Sequence, residues 1–267
     1  MSNDDPVLLE RDGEVAIISL NRPERMNAVG PTTLDDLARL AGEVSADASV
    51  RAVVLAGKGR AFCAGADLAG AEDRGGPAEP MRDRFPVRED TGWPVGWWGF
   101  NIPKPVVCAI NGAAVGYGAE LLGTCDMRIA GESGRIGWVF ARRGLVSDMG
   151  VGPIVLPRLI GLAQTARLLF SGEIVGAQEA LRIGLVDEVV PDDQLLSRAV
   201  AAARHLAGGA PASVAVMKRQ LYATLREDPH KIYFENLDEF QRSMASEDFK
   251  EGVRSFMEKR PPQWTGR

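Results

Sequence analysis

The feature that most narrows the folds open to this chain is the stretch Pro105–Asp126, PVVCAINGAAVGYGAELLGTCD. Val106–Ile110 is a continuous apolar run, as expected of a strand buried on both faces rather than alternating between core and water. The run breaks at Asn111-Gly112, crosses a glycine-rich loop and resumes as a short helix-like segment carrying Glu120. The first N–H groups of a helix lack internal partners, so a strand, a glycine turn and a helix start can cradle a small negative oxygen. Gly112, Gly116 and Gly118 let the backbone approach a ligand closely. No Gly-Lys-Ser/Thr follows, so this is not a phosphate loop. Two readings of Glu120 stay open: a carboxylate beside the cradle, or an acidic residue favouring the helix dipole by about 0.3–1 kcal/mol.

Around this unit the chain reads as α/β. Glu14–Leu20 predicts a strand ended by Asn21-Arg22-Pro23. A helix starts at Pro31-Thr32-Thr33, with Leu34, Leu37, Leu40, Ala41 and Val44 on one face. Val50–Ala56 predicts a second buried strand, which implies a right-handed βαβ crossover and a parallel sheet. Residues 69–100 break the pattern with Gly, Pro and charge and close on Trp93, Trp97, Trp98 and Phe100. This insertion is either a lid over a site or a segment packed onto the core by its aromatics. Beyond it lie a short strand at Asp126–Ala130, an apolar stretch at Gly134–Phe140, and helices over Ala163–Phe170 and Gly176–Ile183. From Asp192 the chain is helical almost throughout: Gln194–Leu206, Pro211–Leu225, His230–Ser243 and Glu247–Lys259, stopped by Pro261-Pro262. Residues 1–190 are therefore expected to form an α/β core and 191–267 a helical region suited to assembly or to closing a site.

Several kinds of chemistry are disfavoured. The net charge of −5 argues against a nucleic-acid surface. Cys63, Cys108 and Cys125 have no CxxC spacing and read as buried free thiols of a reducing cytosol. The N-terminus lacks the order of a signal peptide, and no apolar run reaches the length of a membrane span, so a cytoplasmic protein is expected. His205 and His230 both fall in the late helices and read as surface or helix-end residues. There is no GxSxG elbow, HExxH or Cys/His cluster, so a serine triad and zinc are disfavoured. GxGxxG is incomplete, leaving dinucleotide binding unsupported. Chemistry, if present, runs on carboxylates and backbone donors.

Taken together, NRPERMNAVG (21–30), AFCAGADL (61–68), INGAAVGYGAEL (110–121), CDMRIA (125–130), GLVSDMG (144–150) and SEDFKEGVRSFMEKRPP (246–262) resemble the crotonase, or enoyl-CoA hydratase/isomerase, family over nearly the whole chain. The resemblance implies a repeated ββα spiral core with a C-terminal helical trimerisation region, assembled as a trimer or dimer of trimers. It implies an acyl-CoA thioester substrate, with coenzyme A part of that substrate, no separate cofactor and no metal. It also implies an enolate mechanism in which two backbone N–H groups, of Ala66 and Tyr117 by motif position, hold the thioester oxygen. Such donors are worth roughly 3–4 kcal/mol each in a transition state.

Glu120 falls where hydratases carry their first catalytic glutamate, while the segment that carries the second has Phe140 in its place. Asp148 falls where some isomerase relatives have a catalytic aspartate; read from the residues alone, it is equally an N-cap for the next helix. For coenzyme A the resemblance points to Arg25, Ala28, Ala64, Ala66, Asp67, Leu68, Phe256 and Lys259. Asp67 is expected to fix its loop, and Lys259 alternatively complements a helix dipole. Hydration of a 2-enoyl-CoA or movement of a double bond is the expected activity. The alternatives are a catalytically silent acyl-CoA-binding or scaffolding homologue and thioester hydrolysis.

Overall fold

A computed structural model describes residues 5–30, 32–67 and 86–267. Its strands are β1 (Val7–Asp12), β2 (Val15–Leu20), β3 (Ala52–Gly57), β4 (Ala61–Cys63), β5 (Val106–Ile110), β6 (Ala113–Val115), β7 (Met127–Gly131), β8 (Arg135–Gly137), β9 (Ile174–Gly176) and β10 (Glu188–Val190). Its helices are α1 (Thr33–Ala46), α2 (Tyr117–Gly123), α3 (Val151–Ser171), α4 (Ala177–Arg182), α5 (Leu195–Leu206), α6 (Pro211–Ala223), α7 (Pro229–Met244) and α8 (Glu247–Glu258). One sheet has the order β1-β2-β3-β5-β7-β10 and the other β4-β6-β8-β9.

The chain alternates between the sheets. β3, β5 and β7 are parallel neighbours in the large sheet, and the strand after each, β4, β6 and β8, is a parallel neighbour in the small one. After β6 and β8 come α2 and α3, so the expected ββα turns wind as a spiral. The turns stack tightly. A Cβ on Gly112, between β5 and β6, would lie 2.2 Å from the Arg60 carbonyl in the turn before it, and φ there is +121°. Glycine is required at that contact.

The continuous apolar runs follow from burial on both sheet faces. Val53, Leu55, Val106, Cys108 and Ile110 pack with α1, the small sheet and α2 in the main core. Their alternating neighbours Ala52, Val54, Val107 and Ala109 pack against Leu195, Ala199, Val200 and Ala203 of α5. Each fully buried Val, Leu or Ile contributes about 1.5–3 kcal/mol, so this two-sided burial commits β3 and β5 to the centre of the sheet.

Several elements depart from the sequence reading. β1 pairs antiparallel with β2 at the sheet edge, where only Val7 is buried, and its charged Glu10, Arg11 and Asp12 hide the strand pattern. The three-residue strands of the small sheet are too short to show a period. α3 begins at Val151, twelve residues before the predicted Ala163, and runs through a kink at Gly161. By length and composition it is apolar enough to cross a membrane, which the sequence reading missed because Arg158 and Arg167 interrupt the run. Val151, Val155, Leu156, Ile160 and Leu168 of this helix are nonetheless buried within the protein.

The predicted insertion lies partly outside the described residues. In its described part Trp98 is in the main core, donating to the Leu37 carbonyl at 2.7 Å, and Trp93, Trp97 and Phe100 form a separate cluster with Val151 and Val155. These aromatics pack onto the core. Cys63, Cys108 and Cys125 are free and buried, and His205 and His230 are exposed on α5 and α7.

Candidate active site

Two loops meet beside β4 and α2. The first, residues 64–67, is held by the segment 22–29. Asn27, buried, donates to the Lys58 and Ala61 carbonyls at 2.9 and 2.7 Å and accepts from the Arg22 amide at 2.8 Å. Val29 then takes the Gly65 carbonyl and the Asp67 amide on either side of Ala66. That pairing turns the Ala66 N–H away from Val29, because alternate N–H groups of an extended segment point to opposite sides.

The second loop ends at Gly116, whose backbone (φ 59°, ψ −120°) favours glycine, and whose N–H donates to the Gly137 carbonyl at 2.9 Å. Tyr117 is the first residue of α2, so its N–H has no acceptor within the helix. A Cβ on Gly116 would stand 3.7 Å from the Gly65 Cα, so the loops touch. Ala66 and Tyr117 both line one cavity of about 340 Å³, with Val139, Phe140, Leu145, Val146, Ser147 and Asp148.

Glu120, 1% exposed, does not line that cavity but is close enough for its charge to act on Asp148. Its Oε2 accepts from the Val151 amide at 2.8 Å, and its Oε1 accepts from the Gly152 amide at 3.0 Å and the Trp138 indole at 2.6 Å. The first turn of α3 is thus capped by a carboxylate thirty-one positions upstream; the local N-cap, Gly150, has no side chain to offer. This explains why the start of α3 is invisible in local sequence. Burial raises the Glu120 pKa, opposed by the Ser147 hydroxyl and by these three N–H donors. The Ser147 hydroxyl lies near the carboxylate but closes no well-formed hydrogen bond.

Asp148 does not cap α3. It accepts the amide of Met149 through Oδ1 at 2.8 Å and lines the cavity. The residue is exposed overall, but enclosure of its carboxyl, followed by the Glu120 charge, pushes its pKa up to about 6, against the Met149 hydrogen bond. Phe140 forms apolar wall where the resemblance places a second glutamate.

The remaining predicted contacts separate into two groups. Ala64, Ala66, Asp67, Arg25 and Ala28 lie on the two neighbouring segments, and Asp67 pairs with Arg22 at 3.2 Å, which ties the loop as expected. Phe256 and Lys259 lie at the end of α8; both are exposed, and Lys259 is the left-handed C-cap. Neither lines the cavity. Leu68 falls outside the described residues. Sequence reasoning missed Arg22, Trp138 and Ser147, whose partners lie in other loops. Among the described residues no three His, Cys, Asp or Glu side chains gather as a metal site.

Two loops and the Asp148 carboxyl around one apolar cavity, with the Glu120 carboxyl buried close by, define a class: an α/β spiral protein with acid–base groups at an apolar cavity. Comparison with known proteins carries this further. Residues 10–267 match the family model "Enoyl-CoA hydratase/isomerase". A probable enoyl-CoA hydratase of Rhodobacter capsulatus is 39% identical over 254 residues, 95% of each chain. The 1,2-epoxyphenylacetyl-CoA isomerase of Escherichia coli is 34% identical over 95% of each chain. The crystal structure of an enoyl-CoA hydratase from Bacillus anthracis superposes with a TM-score of 0.87 at 30% identity, covering 98% of this chain and 100% of that one. The chain belongs to the enoyl-CoA hydratase/isomerase family, and its fold is the crotonase fold.

Proposed function

We propose that this enzyme acts on an enoyl-CoA thioester chiefly as a double-bond isomerase, with Asp148 as the proton carrier. The observation that carries this reading is the cavity wall: one carboxyl, Asp148, lines it, and Phe140 occupies the place of a second. Ionised Asp148 takes a proton from C2 of a 3-enoyl thioester. The C2–H electron pair moves onto the thioester oxygen, where the Ala66 and Tyr117 amides hold the resulting dienolate. Return of the proton to C4 leaves the double bond between C2 and C3, with no change in mass. A pKa near the working pH suits a group that must both take and return a proton.

Glu120 serves in this reading as a buried charge that keeps Asp148 basic, rather than as the group that meets the substrate. Coenzyme A passes along Arg25, Ala28, Ala64 and Asp67. Exposed Tyr233, Phe234 and Phe240 of α7 and Phe256 of α8 support subunit contacts of a trimer, which would bring Phe256 and Lys259 to a neighbour's nucleotide. The three buried thiols suit a reducing, cytoplasmic setting.

Hydration is the second reading, favoured by the names of the relatives and by a second carboxyl, Glu120, close enough for its charge to act on Asp148. A panel of 2-enoyl- and 3-enoyl-CoA esters with products identified by mass spectrometry separates the two. Unchanged mass with a moved double bond is expected. Water gain as the main product overturns the isomerase reading.

A further inference from the structure

The loop bearing Asp148 has little of its own to hold it. Residues 141–146 and 148 are exposed, and the loop is bounded by Gly144 and Gly150, both at positive φ. Besides the Ser147 hydroxyl, which lies near Glu120, the group outside the loop that holds residues 146–149 among the described residues is the Trp97 indole, which donates to the Met149 carbonyl at 2.7 Å. The amide on the other side of Met149 is taken by Asp148 itself. A Cβ on Gly96 would lie 2.3 Å from the Met149 Sδ, so Met149 is also seated closely against the segment carrying Trp97.

Trp97 is itself fixed. The residue is 5% exposed, and its ring stacks on Trp93 at 5.3 Å and 12° and meets Phe100 edge-on at 5.6 Å. Phe100 packs on Tyr222 of α6 at 4.1 Å, and the Tyr222 hydroxyl donates to Asp126 at 2.6 Å. Asp126 also takes the Lys218 ammonium at 2.7 Å and the Val106 amide at 2.6 Å. The chain of contacts therefore runs from the central strand β5 to the peptide that follows Asp148.

We propose that Trp97 is a positioning residue for Asp148, its indole N–H holding the Met149 carbonyl so that the carboxyl stays aimed into the cavity. This rests on the reading of Asp148 as the proton carrier. The groups facing Asp148 are Glu120 and the Tyr117 hydroxyl from α2, the Cys63 thiol from β4 and, in the cavity wall, Arg143. Releasing the loop moves the carboxyl towards water and away from Glu120, which lowers its pKa.

The test compares Trp97→Phe, which keeps a ring but removes the donor, with Trp93→Phe, which disturbs the same stack but leaves the hydrogen bond to the loop in place. The readout is the pH dependence of 3-enoyl-CoA isomerisation, with melting temperatures as a check on folding. For Trp97→Phe the kcat is expected to fall about tenfold to a hundredfold, as misplacement of a reacting group does. KM is expected to stay within about twofold, since the coenzyme A contacts are untouched. The acidic limb is expected to move below pH 6 in Trp97→Phe and to stay put in Trp93→Phe. An unshifted limb with wild-type kcat in Trp97→Phe, or an equal shift in Trp93→Phe, overturns the positioning role. Full activity in Asp148→Asn overturns the underlying reading instead, so the two failures are told apart.

Discussion

Glu120 and Asp148 stand on neighbouring pieces of one site and are held in opposite ways. Glu120 is buried, with both oxygens engaged by three N–H donors, two of which are the first amides of α3. Asp148 sits in an exposed loop, tied through the peptide beside it. Burial pushes both carboxyls towards protonation, but Glu120 has donors that favour its charge from several sides, whereas Asp148 has chiefly the Met149 amide. In the isomerase reading, that difference gives the proton exchange to Asp148 and the supporting charge to Glu120. A side chain that caps a helix cannot turn towards substrate without uncapping it, while one on a loop can.

The comparison breaks most sharply at Asp148. Asp148→Asn keeps the shape but removes the base, and kcat for 3-enoyl-CoA isomerisation should fall by roughly 10²–10⁴, the range of general acid–base catalysis. A loss of under about threefold, measured with the fold checked by circular dichroism, would place the chemistry elsewhere. Glu120→Gln should cost stability first. An amide NH₂ replaces one acceptor oxygen and faces N–H groups, a mismatch worth about 1–3 kcal/mol. Urea midpoints read that loss, and the acidic limb of activity should move below pH 6 because the charge raising Asp148 is gone. A limb that stays in place would separate the two carboxyls electrically.

Trp138→Phe sharpens the comparison at a smaller scale. It removes one of three donors to Glu120 and should destabilise the fold by about 1.5 kcal/mol, the low end for hydrogen bonds to a charged group. It should also leave the Asp148 limb near pH 6, and a large shift there would contradict the division of roles. The smallest effect concerns stability against pH. The folded Asp148 holds its proton to about pH 6, whereas an unfolded aspartate releases it near pH ~4. The unfolded chain thus binds fewer protons between those values, and stability falls as pH rises through the window. Asp148→Asn removes that fall, so the variant should melt slightly above wild type at pH 7 and not at pH 4. Equal melting differences at both values would show that Asp148 titrates normally.

The stretch Val106–Glu120 announced its strand, its tight turn and its helix start because each depends on neighbouring residues. The apolar runs of β2, β3 and β5 were likewise readable, since two-sided burial demands them. The start of α3 was not readable, because its cap comes from Glu120 and no local signal marks Val151. For the same reason Asp148 passed in sequence for an N-cap and proves to take only its neighbour's amide. The three-residue strands of the small sheet exist only through partners in other turns of the spiral. Trp97 and Trp138 were visible only as apolar bulk, since what each indole N–H does depends on a carbonyl or carboxylate 52 and 18 positions away. Val7–Asp12, mostly exposed, carries charge where a core strand would carry valine.

The remote cap on α3 ties assembly to readiness. The long helix completes its first turn only with the Glu120 carboxyl, which comes from the second winding of the spiral, so the same contacts set the helix start and the group whose charge acts on Asp148. A chain that has docked this helix correctly has therefore set its own electrostatics, and a chain with a misplaced carboxylate declares itself as one with a frayed helix.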